Sequence, residues 1–520
     1  MTAIDRVGRK ALELRNHKAA VRYVIAVTLI VFVTYGLFSL PTLLIKWRLP
    51  LSAVLACIIW FLIALIPIML QRRRLDGLAF IAAAVGMFAL RALMGGMANG
   101  HFPIMLQRRR LDGLAFIAAA VGMFALRALM GGMANGHFPP GDAHMYLLLA
   151  EHLRVGHVLE VYEPFMGVQT RALFPPLYPS LLAIWSMVGG LSTTSIVIFN
   201  TLIDTLAAAL IVLLAEALEK RRTGLVAAWI FLIWPSTLLS APLAQKEGLC
   251  TLLVLLLALQ WVKYVQASQP GAREAGAIGV SVGLLALTQP GVIPLAALFG
   301  MVALGGGAKR LIVLGLVAMP AAIAATMLPW WIRNFAVFSR FVPLTSAGGY
   351  GLWIGNNSDA NGHLLPPPRS LHGLPEIAFG QAAARLAIVW IQENPIGFVR
   401  VTLAKALRGW GIAEFDAERF ASSKPMTNAL ICGTMFAVSQ VTHLSLLIAA
   451  AFRKSVLRIP GSRVLLLLVL ACLVQTLFFG TFFEFGERHR EFATPFLLLL
   501  AVWGIIDPIT IEGKGIYEPV

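Results

Sequence analysis

Hydrophobic stretches of 18 or more residues return along this chain from end to end. Inside a bilayer no water is present to satisfy backbone N–H and C=O groups, so stretches of that length become spanning α-helices. Candidate spans fall at 23–45, 51–70, 76–97, 112–133, 194–217, 223–241, 248–265, 275–289, 291–305, 311–330, 427–450, 461–483 and 491–508. The pair at 275–305 is broken by Gln289-Pro290-Gly291, a kink tolerated where protein surrounds it. The fold expected is all-α and polytopic, with about twelve transmembrane helices and one duplicated helix.

Charge patterning excludes other classes. Only 13% of the 520 residues are charged, about half the usual share of a soluble domain, so an ordinary cytosolic enzyme or a disordered chain is ruled out. The net charge of +17 would point to nucleic acid in a soluble protein. Here the basic residues cluster in short tracts between apolar runs, as the positive-inside rule requires, and no nucleic-acid partner is expected. Cys57, Cys250, Cys432 and Cys472 all lie in apolar segments without disulfide or metal spacing. The first 22 residues carry six Lys/Arg against two acids, too dispersed for a signal peptide, and the run that follows reads as a retained first helix.

Residues 67–102 recur unchanged at 103–138. Solenoid repeats diverge and come in threes or more, so one copy is read as extra to the fold. Loop charges then set the topology. Residues 1–22 form a cytoplasmic basic N-terminus. Lys220–Arg222, Lys309–Arg310 and the tract Arg453, Lys454, Arg458, Arg463 mark further cytoplasmic loops. Four loops then face outward: 134–193, the turn at 244–248, 331–426 and 484–490. This count holds only if one of the duplicated helices does not span, and Lys46 and Arg48 fit their outer loop poorly. The chain thus divides into a transmembrane region, 23–330, that includes the loop 134–193; an outer loop, 331–426, with amphipathic helices; C-terminal spans within 427–508; and a tail, 509–520, in the cytoplasm.

The outer loops hold the chemistry. The first contains Phe138-Pro139-Pro140-Gly141-Asp142, then His144 and Tyr146, and later Arg171 and Phe174-Pro175-Pro176-Leu177-Tyr178. Phe-Pro-Pro cannot be regular helix and imposes an extended entry. The apolar segment 180–192 is too short to span and is expected at the interface. Lys246 and Glu247 stand directly against apolar sequence, Arg333 follows Pro329-Trp330-Trp331, and Glu484–Pro495 carries Arg488, His489 and Arg490. Single histidines without ligand spacing assign no metal site; the chemistry would tolerate a divalent cation without requiring a cofactor. The stretch 376–410 reads as two helices broken at Asn394-Pro395, the second a basic amphipathic helix with Arg400, Lys405 and Arg408 lying on membrane lipids.

At these residues the chain resembles GT-C fold membrane glycosyltransferases, in the bacterial branch related to protein O-mannosyltransferases and lipid A aminoarabinose transferases. The resemblance rests on five ordered blocks: Gly141–Tyr146, Phe174–Pro179, Lys246-Glu247, Pro329–Asn334 with Gly348–Asn357, and Arg488–Pro495. It implies a polyprenyl-phosphate sugar donor, an acceptor that is glycan, lipid or protein, and a bacterial inner membrane with the site facing the periplasm. It places the catalytic acid at Asp142. The chemistry agrees: transfer needs a base on the acceptor hydroxyl and cations on the leaving phosphate. Lys246, Arg333, Arg488 and Arg490 are the candidate phosphate ligands. His144, Tyr146, Arg171, Tyr178, Glu247, Tyr350, Asn356 and Asn357 are candidate substrate contacts. A transporter would instead show inverted repeats and polar residues at mid-membrane, and a surface polysaccharide polymerase or ligase would lack the ordered blocks.

Overall fold

The computed structural model describes residues 3–47, 51–73, 121–122, 125, 127–128, 141–156, 159–267, 271–304, 309–361, 364–422, 429–453 and 461–503. Most of both repeat copies lies outside the described residues, as do the expected span at 76–97, the C-terminal tail and most of the helix expected at 112–133.

The long apolar runs are helical. Helices α1 (Ala3–Trp47) and α2 (Leu51–Arg73) open the chain. The loop 134–193, expected to face outward, contains α3 (Asp142–Arg154), a hairpin of β1 (Val161–Glu163) and β2 (Val168–Thr170), and α4 (Leu177–Gly189). The hairpin is antiparallel, pairs Val161 with Thr170, and turns through Gly167 at φ +71°. Then come α5 (Thr193–Ala217), α6 (Arg221–Leu232), α7 (Pro235–Leu239), α8 (Glu247–Gln266), α9 (Ala272–Ala286), α10 (Pro294–Leu304) and α11 (Lys309–Phe338). The segment 331–426, also expected to face outward, folds as α12 (Gly348–Gly355), α13 (Glu376–Glu393), α14 (Pro395–Gly411) and α15 (Phe415–Ser422). Helices α16 (Ala429–Phe452), α17 (Ser462–Phe482) and α18 (Thr494–Val502) close the bundle, with a 3₁₀ segment, Glu487–Ala493, ahead of α18.

Five described helices are long and apolar enough to cross a membrane: His17–Leu43, Thr193–Ala217, Glu247–Gln266, Ile431–Phe452 and Ser462–Phe482. The expected dozen is not reached among the described residues, and proline explains part of the shortfall. The run at 223–241 breaks before Pro235, because proline lacks the N–H that would continue the ladder; the break of 275–305 at Pro290 falls where the sequence predicts it. The opposite error occurs at Pro329, where the sequence predicts a span ending and α11 runs on to Phe338.

Packing uses small residues where helices meet closely. Gly279 and Gly283 lie one turn apart on α9, and an added Cβ would stand 2.5 Å from the Met319 carbonyl or 2.6 Å from Thr326 of α11. Lys46, the poor fit in the sequence, pairs with Glu414 at 2.8 Å and Glu418 at 2.6 Å. Its end of α1 therefore lies beside α15, while Arg48 lies outside the described residues. Lys405 corrects another expectation. It is fully buried rather than lipid-facing, and its ammonium donates to the carbonyls of Gly355 at 2.7 Å and Phe483 at 3.1 Å. The apolar face of α14 is carried instead by Ile396, Val399 and Leu403, all exposed.

Arg127, in the second repeat copy, is wholly buried with Nη1 2.5 Å from Asp204 Oδ2 on α5. Breaking a buried pair leaves an uncompensated charge, so Asp204→Asn should cost ~3–5 kcal/mol, read as a lowered melting temperature in detergent. The copies are identical, so deleting 103–138 yields the same chain as deleting 67–102 and keeps an arginine for Asp204. The shortened protein should insert normally and keep its activity. His144 is exposed beside Asp142, and His144→Cys in a cysteine-free background should react with an impermeant maleimide from the outer side; labelling from the cytoplasmic side would overturn the topology.

Candidate active site

The four loops expected on one face each send a side chain to a common cluster. Asp142 opens α3 and accepts a hydrogen bond from Arg488 at 2.6 Å; the other arm of Arg488 donates to Glu484 at 2.7 Å. The Asp142 and Arg488 side chains are 29% and 15% exposed. Lys246, the residue before α8, lies 5.8 Å from the centre of the Tyr146 ring. Arg419 of α15 and Arg488 both lie over the ring of Phe415, at 5.1 and 5.3 Å.

Local sequence explains the placement. Gly141 has φ +95°, and a Cβ there would meet Arg419 Nη1 at 2.9 Å. Glycine both permits that backbone and lets the guanidinium rest on it. Asp142 then falls in the first turn of α3, where the helix dipole favours a negative charge. Burial by itself would raise its pKa, but the charges of Arg488, Lys246 and Arg419 outweigh that and hold it at about 2. Burial lowers the pKa of Lys246 against the pull of Glu247 and Asp142. His489 is pushed well below the ordinary imidazole value by burial and by Arg488 and Lys246, so it is neutral. Its Nδ1 accepts from the Gly486 N–H at 3.2 Å, which leaves the proton on Nε2.

Beneath the cluster lies a small cavity whose wall includes Arg488, Glu247, Asp204, Asp416 and Glu491. Burial and neighbouring carboxylates raise the pKa of Asp416. Among the described residues no group of three or more His, Cys, Asp or Glu side chains is placed to hold a metal ion.

Several expected site residues are not brought to the cluster. Arg490, expected as a phosphate ligand, is 3% exposed and donates to the carbonyls of Gly409 and Ile412, with His443 Nδ1 at 3.0 Å. Arg333 donates to the carbonyls of Arg171 and Leu159 at 2.7 and 2.8 Å, fastening the first outer loop to α11. Arg171 pairs with Glu160 at 3.0 Å. Gly348–Gly355 is helix rather than a flexible loop, and its neighbours Asn356 and Asn357 donate to the carbonyls of Phe482 and Trp353, both at 2.7 Å. Tyr350 donates to the Leu365 carbonyl at 2.7 Å. Apart from Arg171, each of these polar groups that looked free in the sequence answers a backbone carbonyl, a group costly to leave unpaired where water is excluded. His144 is exposed on the far side of α3. Tyr146 and Tyr178 are buried and packed edge to face, 5.2 Å apart; Tyr146 backs Lys246.

Sequence reasoning missed Arg419, Phe415 and Glu484. Phe415 and Arg419 are four residues apart and share a face of α15, a spacing that was the available signal; Glu484 lies in the non-helical turn before Arg488, which no spacing rule marks.

No protein-family model matches the chain, and no curated protein matches it in sequence. Among solved structures, the archaeal oligosaccharyltransferase AglB from Archaeoglobus fulgidus, in complex with an inhibitory peptide and a dolichol-phosphate, aligns at 15% identity and a TM-score of 0.40, over 74% of this chain and 50% of that one. ArnT from Cupriavidus metallidurans, bound to undecaprenyl phosphate, aligns at 13% identity and a TM-score of 0.39, over 75% and 76%. Both have the GT-C fold. The chain spans about half the length of AglB.

The depressed Asp142 pKa has a consequence for stability. A carboxylate held at about 2, against ~3.9 when unfolded, stabilises the folded state above the unfolded value and loses that contribution as pH falls through the folded one. Thermal unfolding in detergent should therefore show a drop in melting temperature between about pH 4 and pH 2 that is smaller in Asp142→Asn, and equal drops in both proteins would refute the assignment.

Proposed function

We propose that the protein is a membrane-embedded glycosyltransferase that moves a sugar from a polyprenyl-phosphate donor to an acceptor hydroxyl at the outer face of the membrane. The observation that carries the reading is one carboxylate, Asp142, enclosed by Arg488, Lys246 and Arg419, with Lys246 just before and Arg488 just beyond helices long enough to cross a bilayer. An excess of cation around one carboxylate suits a substrate that brings its own negative charge. The lipid tail of such a donor would lie along the apolar helices and its phosphate at their ends. The polyprenyl phosphates bound in the AglB and ArnT structures are of this chemical class; the proposal rests on the chain's own cluster.

In the proposed reaction Asp142 takes the proton of the acceptor hydroxyl, whose oxygen attacks the anomeric carbon. The bond from that carbon to the phosphate oxygen breaks, and the lipid phosphate leaves on Arg488, Lys246 and Arg419. Donors of this kind, in a site that excludes water, are worth ~3–4 kcal/mol each. While Arg488 holds Asp142, the carboxylate is a weak base. A donor phosphate competing for Arg488 would release Asp142 and make it more basic, which orders binding as donor before acceptor. Glu247, on the cavity wall with Arg488, is placed to meet the acceptor.

Asp142→Asn should abolish transfer in membranes while the protein stays folded and inserted. General base catalysis is worth ~10²–10⁴-fold, so a purified variant keeping more than about a tenth of the wild-type rate would refute the role. Arg419→Ala and Arg488→Ala should raise the KM for the lipid donor more than for the acceptor; unchanged donor dependence in both would remove them from the phosphate site.

A further inference from the structure

Arg488 is shared between two carboxylates. Its Nη1 donates to Asp142 at 2.6 Å and its Nη2 to Glu484 at 2.7 Å. The two acids are held in different ways. Asp142 belongs to a segment 346 residues away, and its side chain is 29% exposed. Glu484 stands four residues before Arg488, in the short turn between α17 and the 3₁₀ segment, and its side chain is 15% exposed. Both of its neighbours are fixed. The carbonyl of Phe483 accepts from the buried ammonium of Lys405 at 3.1 Å. Phe485 is wholly buried, and a Cβ added to Gly409 or Gly480 would stand 2.4 or 2.9 Å from its ring. The protonated Nε2 of His489 lies 3.6 Å from the Glu484 carboxylate, and the His489 ring stacks on Phe485 with centres 6.3 Å apart. Glu484 is thus anchored to the helical bundle, whereas Asp142 reaches Arg488 from a loop helix.

That difference matters when an anion arrives. A largely buried guanidinium stripped of its partners is an uncompensated charge, which is costly. For a phosphate to take Nη1 from Asp142, Nη2 must keep a partner of its own, and Glu484 is that partner. Its charge has a second effect. An arginine fork matches a single carboxylate with two parallel bonds, so without Glu484 both arms could close on Asp142. Sharing prevents this and leaves Asp142 held by one arm, which a phosphate can displace.

We propose that Glu484 is a positioning residue for donor binding: it keeps one arm of Arg488 throughout, so that the other arm passes from Asp142 to the donor phosphate. This inference rests on the glycosyltransferase reading, in which Asp142 and the phosphate compete for Arg488, and it names the group that makes the exchange reversible. Glu484 touches neither the sugar nor the reacting atoms. It acts through Arg488, and its effect is therefore on how tightly Asp142 competes with the phosphate.

The test uses full-length protein in detergent with decaprenyl phosphate as the probe, so it needs no acceptor. Asp142→Asn removes the competitor and should tighten binding of the probe in the wild-type background. In a Glu484→Gln background the amide keeps an acceptor oxygen but not the charge, and Asp142 can hold Arg488 with both arms. The same Asp142→Asn change should then give a gain about 3–10-fold larger, the coupling expected of groups that share one partner. Glu484→Asp keeps the charge and should return the gain to its wild-type size. A residue that only shapes the turn would change affinity by the same factor whichever side chain stands at 142. Equal gains in the wild-type and Glu484→Gln backgrounds would therefore overturn the role of Glu484 and leave the glycosyltransferase reading standing. Glu484→Ala gives the same comparison should Glu484→Gln not fold. A wild-type protein that does not bind decaprenyl phosphate would overturn that reading, and the role of Glu484 with it.

Discussion

The ion pair between Asp142 and Arg488 joins residues 346 positions apart. Asp142 stands at the start of the first loop helix and Arg488 just beyond the end of α17, so the pair closes the site from both ends of the chain. Arg419 and Lys246 complete it from the second outer loop and from the entry to α8. Like charges this close are held by what surrounds them: Asp142 and Glu484 each take one arm of Arg488, Phe415 lies under two guanidiniums, and Tyr146 lies under Lys246. The site is an arrangement of positive charge stabilised by one carboxylate and aromatic faces, and an anionic substrate is its natural complement.

Other cations in the outer loops do different work. Arg333, Arg490 and Lys405 all end on backbone carbonyls where helices stop or loops cross. A loop that packs against a helical bundle exposes carbonyls which neither water nor a ladder satisfies, and a long cationic side chain can reach them. Glu376 plays the reciprocal part for N–H groups, accepting from Arg171 N at 2.7 Å and Ala172 N at 2.9 Å. These bonds tie the first outer loop to the second and keep Asp142 in register with Arg419. Positioning and the charge cluster at Asp142 thus use the same residue types, separated only by what each finds to bond.

That overlap explains where sequence reading succeeded. Hydrophobic length was legible because period and length alone dictate helix in lipid, and the break at Asn394-Pro395 fell where proline chemistry requires it. Asp142, Lys246, Glu247 and Arg488 were legible because a charge beside an apolar run, next to a glycine or proline turn, has few structural reasons to be there. Arg333, Arg490, Asn356 and Asn357 looked the same in one dimension, but each serves a carbonyl from a distant segment. Arg419 went unnoticed because its loop reads as ordinary polar sequence, and only the approach of Gly141 gives it a role.

The sequence by itself determined that the chain is a helical membrane protein with many of its charges gathered in a few loops. Apolar length, the charge of the intervening tracts and proline positions act locally, so they can be read without coordinates. Only the tertiary structure decided which cations face Asp142 and which face carbonyls, that Lys46 belongs with Glu414 and Glu418, and that Arg127 of the second copy pairs with Asp204. Those outcomes depend on distances between segments hundreds of residues apart, and a charge is assigned its partner by proximity in space, which no local pattern encodes.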